Sequence, residues 1–202
     1  MRKLLLSIVA GVAALFMPLA ATSQIAPDRG AAPEKGEPSY KYEAFAGYGY
    51  TSLNQVDQSR NGLQGFNLAI TRDFGKYYGV TADGASYKYS LDATNPGNPI
   101  VDTVLFGPVL HGNFYDRVDG FMHVLLGGEH TGGEVGGTPK VSFAAGIGVG
   151  MDYRVKPQWA VRLSGDDIRS SFVADPNHLG YSPHEHANAR LAVGIVYKFG
   201  SR

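Results

Sequence analysis

From Tyr40 onward the chain alternates apolar and polar residues at period two, the signature of strands whose successive side chains point to opposite faces. Eight segments carry this signature: Lys41–Thr51, Leu63–Arg72, Tyr78–Tyr89, Asp102–Asn113, Gly120–His130, Val141–Tyr153, Gln158–Ile168 and Asn188–Phe199. The sixth shows it best, with Phe143, Ala145, Ile147, Val149 and Met151 against Ala144, Gly146, Gly148, Gly150 and Asp152. In the eighth, Leu191, Val193, Ile195, Tyr197 and Phe199 oppose Arg190, Ala192, Gly194, Val196 and Lys198. The seventh alternates poorly: Arg162, Asp166 and Ile168 share a parity, while Asp167 falls with Val161 and Leu163. That strand either leaves an apolar surrounding near Gly165 or flips its register at a bulge.

The connections alternate too. Short links around residues 73–76, 115–117 and 154–157 take turns with longer polar ones, Ser52–Gly62, Ser90–Val101, Thr131–Lys140 and Arg169–Ala187. A soluble sandwich has no reason to alternate loop length. A membrane barrel does, with tight periplasmic turns and long external loops. The expected fold is therefore all-β, an eight-stranded antiparallel up-and-down transmembrane barrel.

The two faces differ in kind. One is apolar and ends in aromatics, Tyr42, Tyr48, Tyr50, Trp159, Tyr197 and Phe199, where an interfacial girdle would sit. The other mixes glycine with isolated charges: Glu43, Asp83, His123, Asp152, Arg162, Arg190 and Lys198. An eight-stranded barrel has room inside for packed side chains only. Charges there must pair, because a lone ion in a low-dielectric interior is very costly. The expectation is an interior ion-pair network of three acids and three bases, with His123 in or beside it.

The segments before Tyr40 set the compartment. Arg2 and Lys3, the apolar run Leu4–Leu19 and the small-x-small site Ala21-Thr22-Ser23 read as a secretory signal over 1–23. Residues 24–39 carry Pro, Gly and mixed charge and read as a flexible linker. The barrel is assigned 40–199. Formal net charge is zero, so no nucleic-acid partner is expected. The absence of Cys removes disulfides, thiolate metal sites, a catalytic thiol and a lipoprotein anchor.

The chain end, Gly194-Ile195-Val196-Tyr197-Lys198-Phe199, resembles the C-terminal β-signal of outer-membrane proteins. It departs at Ala192, where a polar residue is usual, and in the three residues after Phe199. The resemblance implies that Gly194, Tyr197 and Phe199 form an assembly signal read by the barrel-assembly machinery, with periplasmic chaperones as partners during biogenesis. Tyr42-Glu43-Ala44-Phe45-Ala46-Gly47-Tyr48 looks like the opening strand of the small outer-membrane barrels related to the transmembrane domain of OmpA. Leu105-Phe106-Gly107-Pro108 followed by Phe121-Met122-His123-Val124-Leu125-Leu126-Gly127-Gly128 resembles their fourth–fifth hairpin. This likeness spans about Tyr40 to Phe199. It implies location in the bacterial outer membrane and contact with its lipids and lipopolysaccharide. No peptidoglycan-binding domain follows the barrel, so tethering of that kind is not expected.

Candidate chemistry is sparse. Glu129, His130, Ser142, His178, His184 and His186 could line an external rim as in lipid-remodelling barrels, but a triad is defined by geometry. His184 and His186, one residue apart with Glu185 between, are the weak candidates for metal; solvated loop histidines are the preferred reading, so no metal and no cofactor is expected. The Gly-rich Thr131–Gly137 stretch lacks the strand-to-helix context of a phosphate cradle. Asp166 and Asp167, adjacent in a strand, face opposite sides and cannot share a site. The expected function is a structural, non-catalytic outer-membrane barrel supporting envelope integrity. The alternatives are binding or adhesion through the long loops to an unnamed external ligand, a lipid-modifying enzyme, and a small-solute channel.

Overall fold

The computed structural model describes residues 40–54, 60–90, 100–132, 140–170 and 186–201. The expected leader and linker lie outside them. Eight strands follow in order: β1 (Tyr40–Asn54), β2 (Arg60–Asp73), β3 (Tyr78–Ser90), β4 (Ile100–Tyr115), β5 (Val118–Gly132), β6 (Lys140–Lys156), β7 (Trp159–Ser170) and β8 (His186–Ser201). Each pairs antiparallel with its sequence neighbours, and β8 returns to β1, closing the sheet. Closure satisfies every strand's backbone groups within the wall and leaves no sheet edge.

The strands run past the ends that apolar alternation marks. Ser52, Leu53 and Asn54 pair with Gly62, Asn61 and Arg60, inside what reads from sequence as a loop. The other three long connections are shortened in the same way, to 91–99, 133–139 and 171–185. The cause is physical: hydrophobic alternation reports what a face touches, whereas the ladder needs only backbone partners. The short connections are residues 74–77, 116–117 and 157–158.

Strand tilt follows from the register. From Tyr48, pairing leads through Phe66, Ser86, Asp102 and His130 to Val141 on β6. In the other direction it leads through Val193 and Leu163 to Met151, ten residues further along β6. That stagger over eight strands requires a tilt of about 40° from the barrel axis.

Burial alternates with the pleat on every strand. The outward face is apolar and bare: Leu68, Val104, Phe106, Ile147 and Val193 are 61%, 72%, 62%, 51% and 52% exposed. The inward face is filled. Three small apolar clusters occupy it: Phe45 with Ala160, Ala192 and Val196; Leu105 with Leu125, Ala144 and Ile168; and Leu63 with Ala85, Tyr87 and Val101. Between them lie buried charges.

β7 settles the register that its sequence leaves open. It pairs with β8 without a break from Trp159↔Tyr197 to Ser170↔His186. Ala160, Arg162, Ser164, Asp166, Ile168 and Ser170 all point inward. There is no bulge within β7. Its outward face instead changes from Val161 and Leu163 to Asp167 and Arg169, which face each other at 3.5 Å.

Candidate functional site

The interior holds two groups of charges. Nearer the short turns, the Arg162 guanidinium donates from Nε and Nη2 to the two carboxylate oxygens of Asp152, both at 2.7 Å. Nη2 also donates to Glu43 Oε2 at 2.8 Å. Asp152 is the direct cross-strand partner of Arg162, so the fork needs no reach beyond one ladder rung. Lys198 Nζ approaches Glu43 Oε1 at 3.1 Å and Asp119 Oδ2 at 3.5 Å. The guanidinium also lies over two rings, with its carbon 4.3 Å from the Phe121 centroid and 5.6 Å from that of Phe45.

Nearer the long connections, Arg190 donates from Nη1 to Asp83 Oδ1 at 2.7 Å and from Nε to Asp166 Oδ2 at 2.8 Å. His123 Nε2 meets Asp166 Oδ1 at 2.6 Å, and Asn67 Nδ2 donates to Asp83 Oδ2 at 2.9 Å. Arg190 on β8 thus joins β7 to β3. Between the groups lies a cavity of about 20 Å³, bordered by Phe45, Thr71, Phe121, Arg162 and Arg190 among others, which is room for about one water.

All seven residues singled out on the charged face point inward, split between these groups. Two members are not among the residues that the sequence assigned to the network. Asp166 is the shared acid of the second group, and Asp119 flanks the first. Strict parity through β7 would have found Asp166, which differs from Arg162 by an even number of positions. Asp119 sits at the start of β5, beside the turn, where alternation carries little signal.

Glycine makes room for this chemistry. A Cβ on Gly148 would collide with Asp166 Oδ1 and His123 Nε2, and one on Gly150 with the Phe121 ring. We expect Gly148→Ala to cost about 1–3 kcal/mol through displacement of that pair. Urea unfolding in detergent measures it, and an unchanged midpoint would mean that the cluster yields freely.

Of the residues considered for catalysis, the structure brings Glu129 and Ser142 to one face and turns His130 to the other. Glu129, 1% exposed, points inward and accepts from Ser170 Oγ at 3.2 Å. Ser142 is its cross-strand partner on β6 and shares its inward face. His130, next along β5, points to the opposite face. His178 and His184 lie outside the described residues, as does the His186 side chain, so the weak metal candidates have no described geometry. Among the described residues there is no group of three His, Cys, Asp or Glu able to hold a metal.

The aromatic residues divide by position. Tyr42, Trp159, Tyr197 and Phe199 gather at the short-turn end, with centroids 5.4 Å apart for Tyr42–Phe199, 4.7 Å for Trp159–Tyr197 and 5.9 Å for Tyr197–Phe199. Tyr48 stands deeper on β1, edge-on to Phe66, with its hydroxyl donating to Gln64 Oε1 at 2.6 Å. Tyr50 is one outward step further along. Of the β-signal residues, Gly194 lies against the Phe45 ring and the β1 backbone, where no side chain would fit.

No protein-family model and no curated protein sequence matches the chain. Solved structures do. Neisserial surface protein A superposes with a TM-score of 0.63 at 12% identity, covering 78% of this chain and 97% of that one. Ail, the attachment invasion locus protein of Yersinia pestis, gives 0.56 at 17% identity over 80% and 99%. The outer membrane protein OprG from Pseudomonas aeruginosa gives 0.50 at 13% over 82% and 99%. By fold, the chain is a small eight-stranded antiparallel barrel of the outer-membrane type.

Proposed function

We propose that this protein is an integral barrel of the bacterial outer membrane with a structural role in the envelope, closed to solutes and without catalysis. One observation carries the reading: apolar side chains cover the outside between the two rims, while Glu43, Asp83, Asp152, Arg162, Asp166 and Arg190 are buried inside. Soluble monomers rarely expose apolar patches beyond a few hundred Å². In hydrocarbon the same wall is favourable, and outer-membrane lipids and lipopolysaccharide are its partners. The outward change from Leu163 to Asp167 on β7 marks the external limit of the apolar band. Tyr42, Trp159 and Tyr197 serve as its inner girdle, while Tyr48, paired with Val193, lies within the band and Tyr50 toward its outer side. Gly194, Tyr197 and Phe199 act as the assembly signal.

The filled interior supports a closed barrel, since a void for about one water offers no path among the described residues. The opposite facing of His130 and the Glu129–Ser142 pair supports a role without acid–base relay. The test of the whole reading is a heat-modifiability gel. Unheated protein in detergent is expected to migrate faster than boiled protein, and identical migration would sink the reading.

A second reading, binding through the external loops, draws on the four longer connections opening at one end. It also draws on the likeness to Ail, which is named for attachment and invasion and has been solved with a heparin analogue (TM-score 0.52, 16% identity). Loop-deleted variants that still fold but lose attachment to a sulfated-glycan surface would favour it.

A further inference from the structure

The end of the barrel that carries the short turns is basic. Lys41, Arg72, Lys76, Arg117 and Lys156 are all exposed there, and Asp116 is the one exposed acid at that end among the described residues. The remaining acids of this end are engaged within the wall: Asp73 faces His111 at 3.0 Å, and Asp119 faces Arg154 at 3.4 Å and Lys198 at 3.5 Å. Among the described residues, no acid lies within ion-pair distance of Lys41, Arg72, Lys76, Arg117 or Lys156. At the other end the exposed described bases are only Lys88 and Arg169, and Arg169 already faces Asp167.

Position makes this patch specific. Arg72 is the cross-strand partner of Tyr42, so it stands at the aromatic belt. Its guanidinium lies 5.3 Å from the Phe74 ring centroid, and the Lys76 ammonium lies 5.4 Å from that of Tyr77. Rings hold both cations at the boundary where apolar stems meet headgroups. Arg117, in the next turn around the rim, and Lys156, the last residue of β6 before the turn after that, continue the patch.

We propose that this rim binds anionic phospholipid headgroups of the membrane leaflet at the short-turn end. The inference rests on the bilayer-spanning reading above. Phosphate oxygens accept from Arg72 and Arg117 and pair with Lys76 and Lys156, while the acyl chains lie on the aliphatic wall. Basic residues at such a surface favour anionic lipid within a Debye length, and salt weakens the attraction.

The experiment uses the folded barrel in phosphatidylcholine bilayers with trace spin-labelled phosphatidylglycerol or phosphatidylcholine. Electron paramagnetic resonance reads the motionally restricted lipid against the wall. At low salt the anionic lipid is expected to associate more strongly by about two- to fivefold, falling toward parity in molar salt. Arg72→Gln, Lys76→Gln, Arg117→Gln and Lys156→Gln together should abolish the preference. Arg117→Gln with Lys156→Gln, both near turns, should roughly halve it, which keeps the test valid if the larger variant fails to fold. Lys88→Gln should leave it unchanged. Parity for the unaltered protein at low salt, or a preference indifferent to both variants, overturns the proposal. So does parity joined with salt-sensitive retention on cell-wall fragments, which would assign the rim to an acidic glycan. Restricted phosphatidylcholine should persist in all of these cases. Its absence would overturn the bilayer-spanning reading as well.

Discussion

Arg162→Met is expected to lower the unfolding free energy by about 3–5 kcal/mol, the usual loss when one partner of a buried ion pair is removed. The substitution leaves Glu43 and Asp152, 4% and 2% exposed, facing each other without the guanidinium between them. Lys198 still reaches Glu43, but it makes no contact that replaces the two-pronged bond to Asp152. The cost should therefore come mainly from stranded charge and little from lost packing, since Met fills much of the same space. A compensated variant separates the two. Arg162→Met combined with Glu43→Gln and Asp152→Asn should regain most of the loss, because buried pairs replaced whole are often neutral. Urea titration of the barrel in detergent measures both. The single tryptophan, Trp159, sits three positions from Arg162 at the aromatic end and supplies the fluorescence signal. A loss below about 1 kcal/mol for the single variant would show that water reaches the cluster and that the interior is not dry.

Val193→Arg should cost about 2–4 kcal/mol for folding into bilayers, the penalty for a cation at the midplane of a lipid-facing barrel wall. Val193 is 52% exposed and lies between Tyr48 on β1 and Leu163 on β7, far from both charged rims. On a water-facing sheet the same change would fall within about 0.5 kcal/mol, since exposed sites tolerate charge. The two expectations differ several-fold, so one equilibrium measurement in lipid vesicles decides whether this face meets hydrocarbon. Ala189→Arg, two outward steps along β8 toward the long connections, should cost only about 0–1 kcal/mol, because the penalty fades toward the interface. Equal costs at both positions would count against a membrane-spanning wall.

The two variants probe opposite sides of one sheet, and the sides were not equally legible. The outward face is readable residue by residue, because its requirement is generic: any aliphatic side chain satisfies hydrocarbon, and period two does the rest. Leu191, Val193 and Ile195 announce themselves. The inward face is readable in composition but not in partnership. Glu43, Asp83, Arg162 and Arg190 stand out as charges opposite apolar positions. Nothing along the chain tells Arg190 to join Asp83 on β3 and Asp166 on β7 rather than Glu43. That choice follows from the ten-residue stagger around the barrel, a property of closure and not of any strand. Asp166 was obscured for a related reason. Beyond Gly165 the outward face of β7 turns polar, so alternation in hydropathy stops although the alternation in direction continues.

What the sequence by itself determined is the strand count, the antiparallel order, the parity of every strand but β7 and the kind of side chain on each face. All of these follow from local periodicity and from the spacing of turns, which neighbouring residues encode. What only the tertiary structure decided is where strands end, which charges meet across the lumen, and how Phe45, Phe121 and the glycines beside them fill it. Those depend on the distance and stagger between strands far apart in the chain. Ladder pairing continues wherever two backbones face each other, and an ion pair forms wherever closure brings opposite charges within about 3 Å.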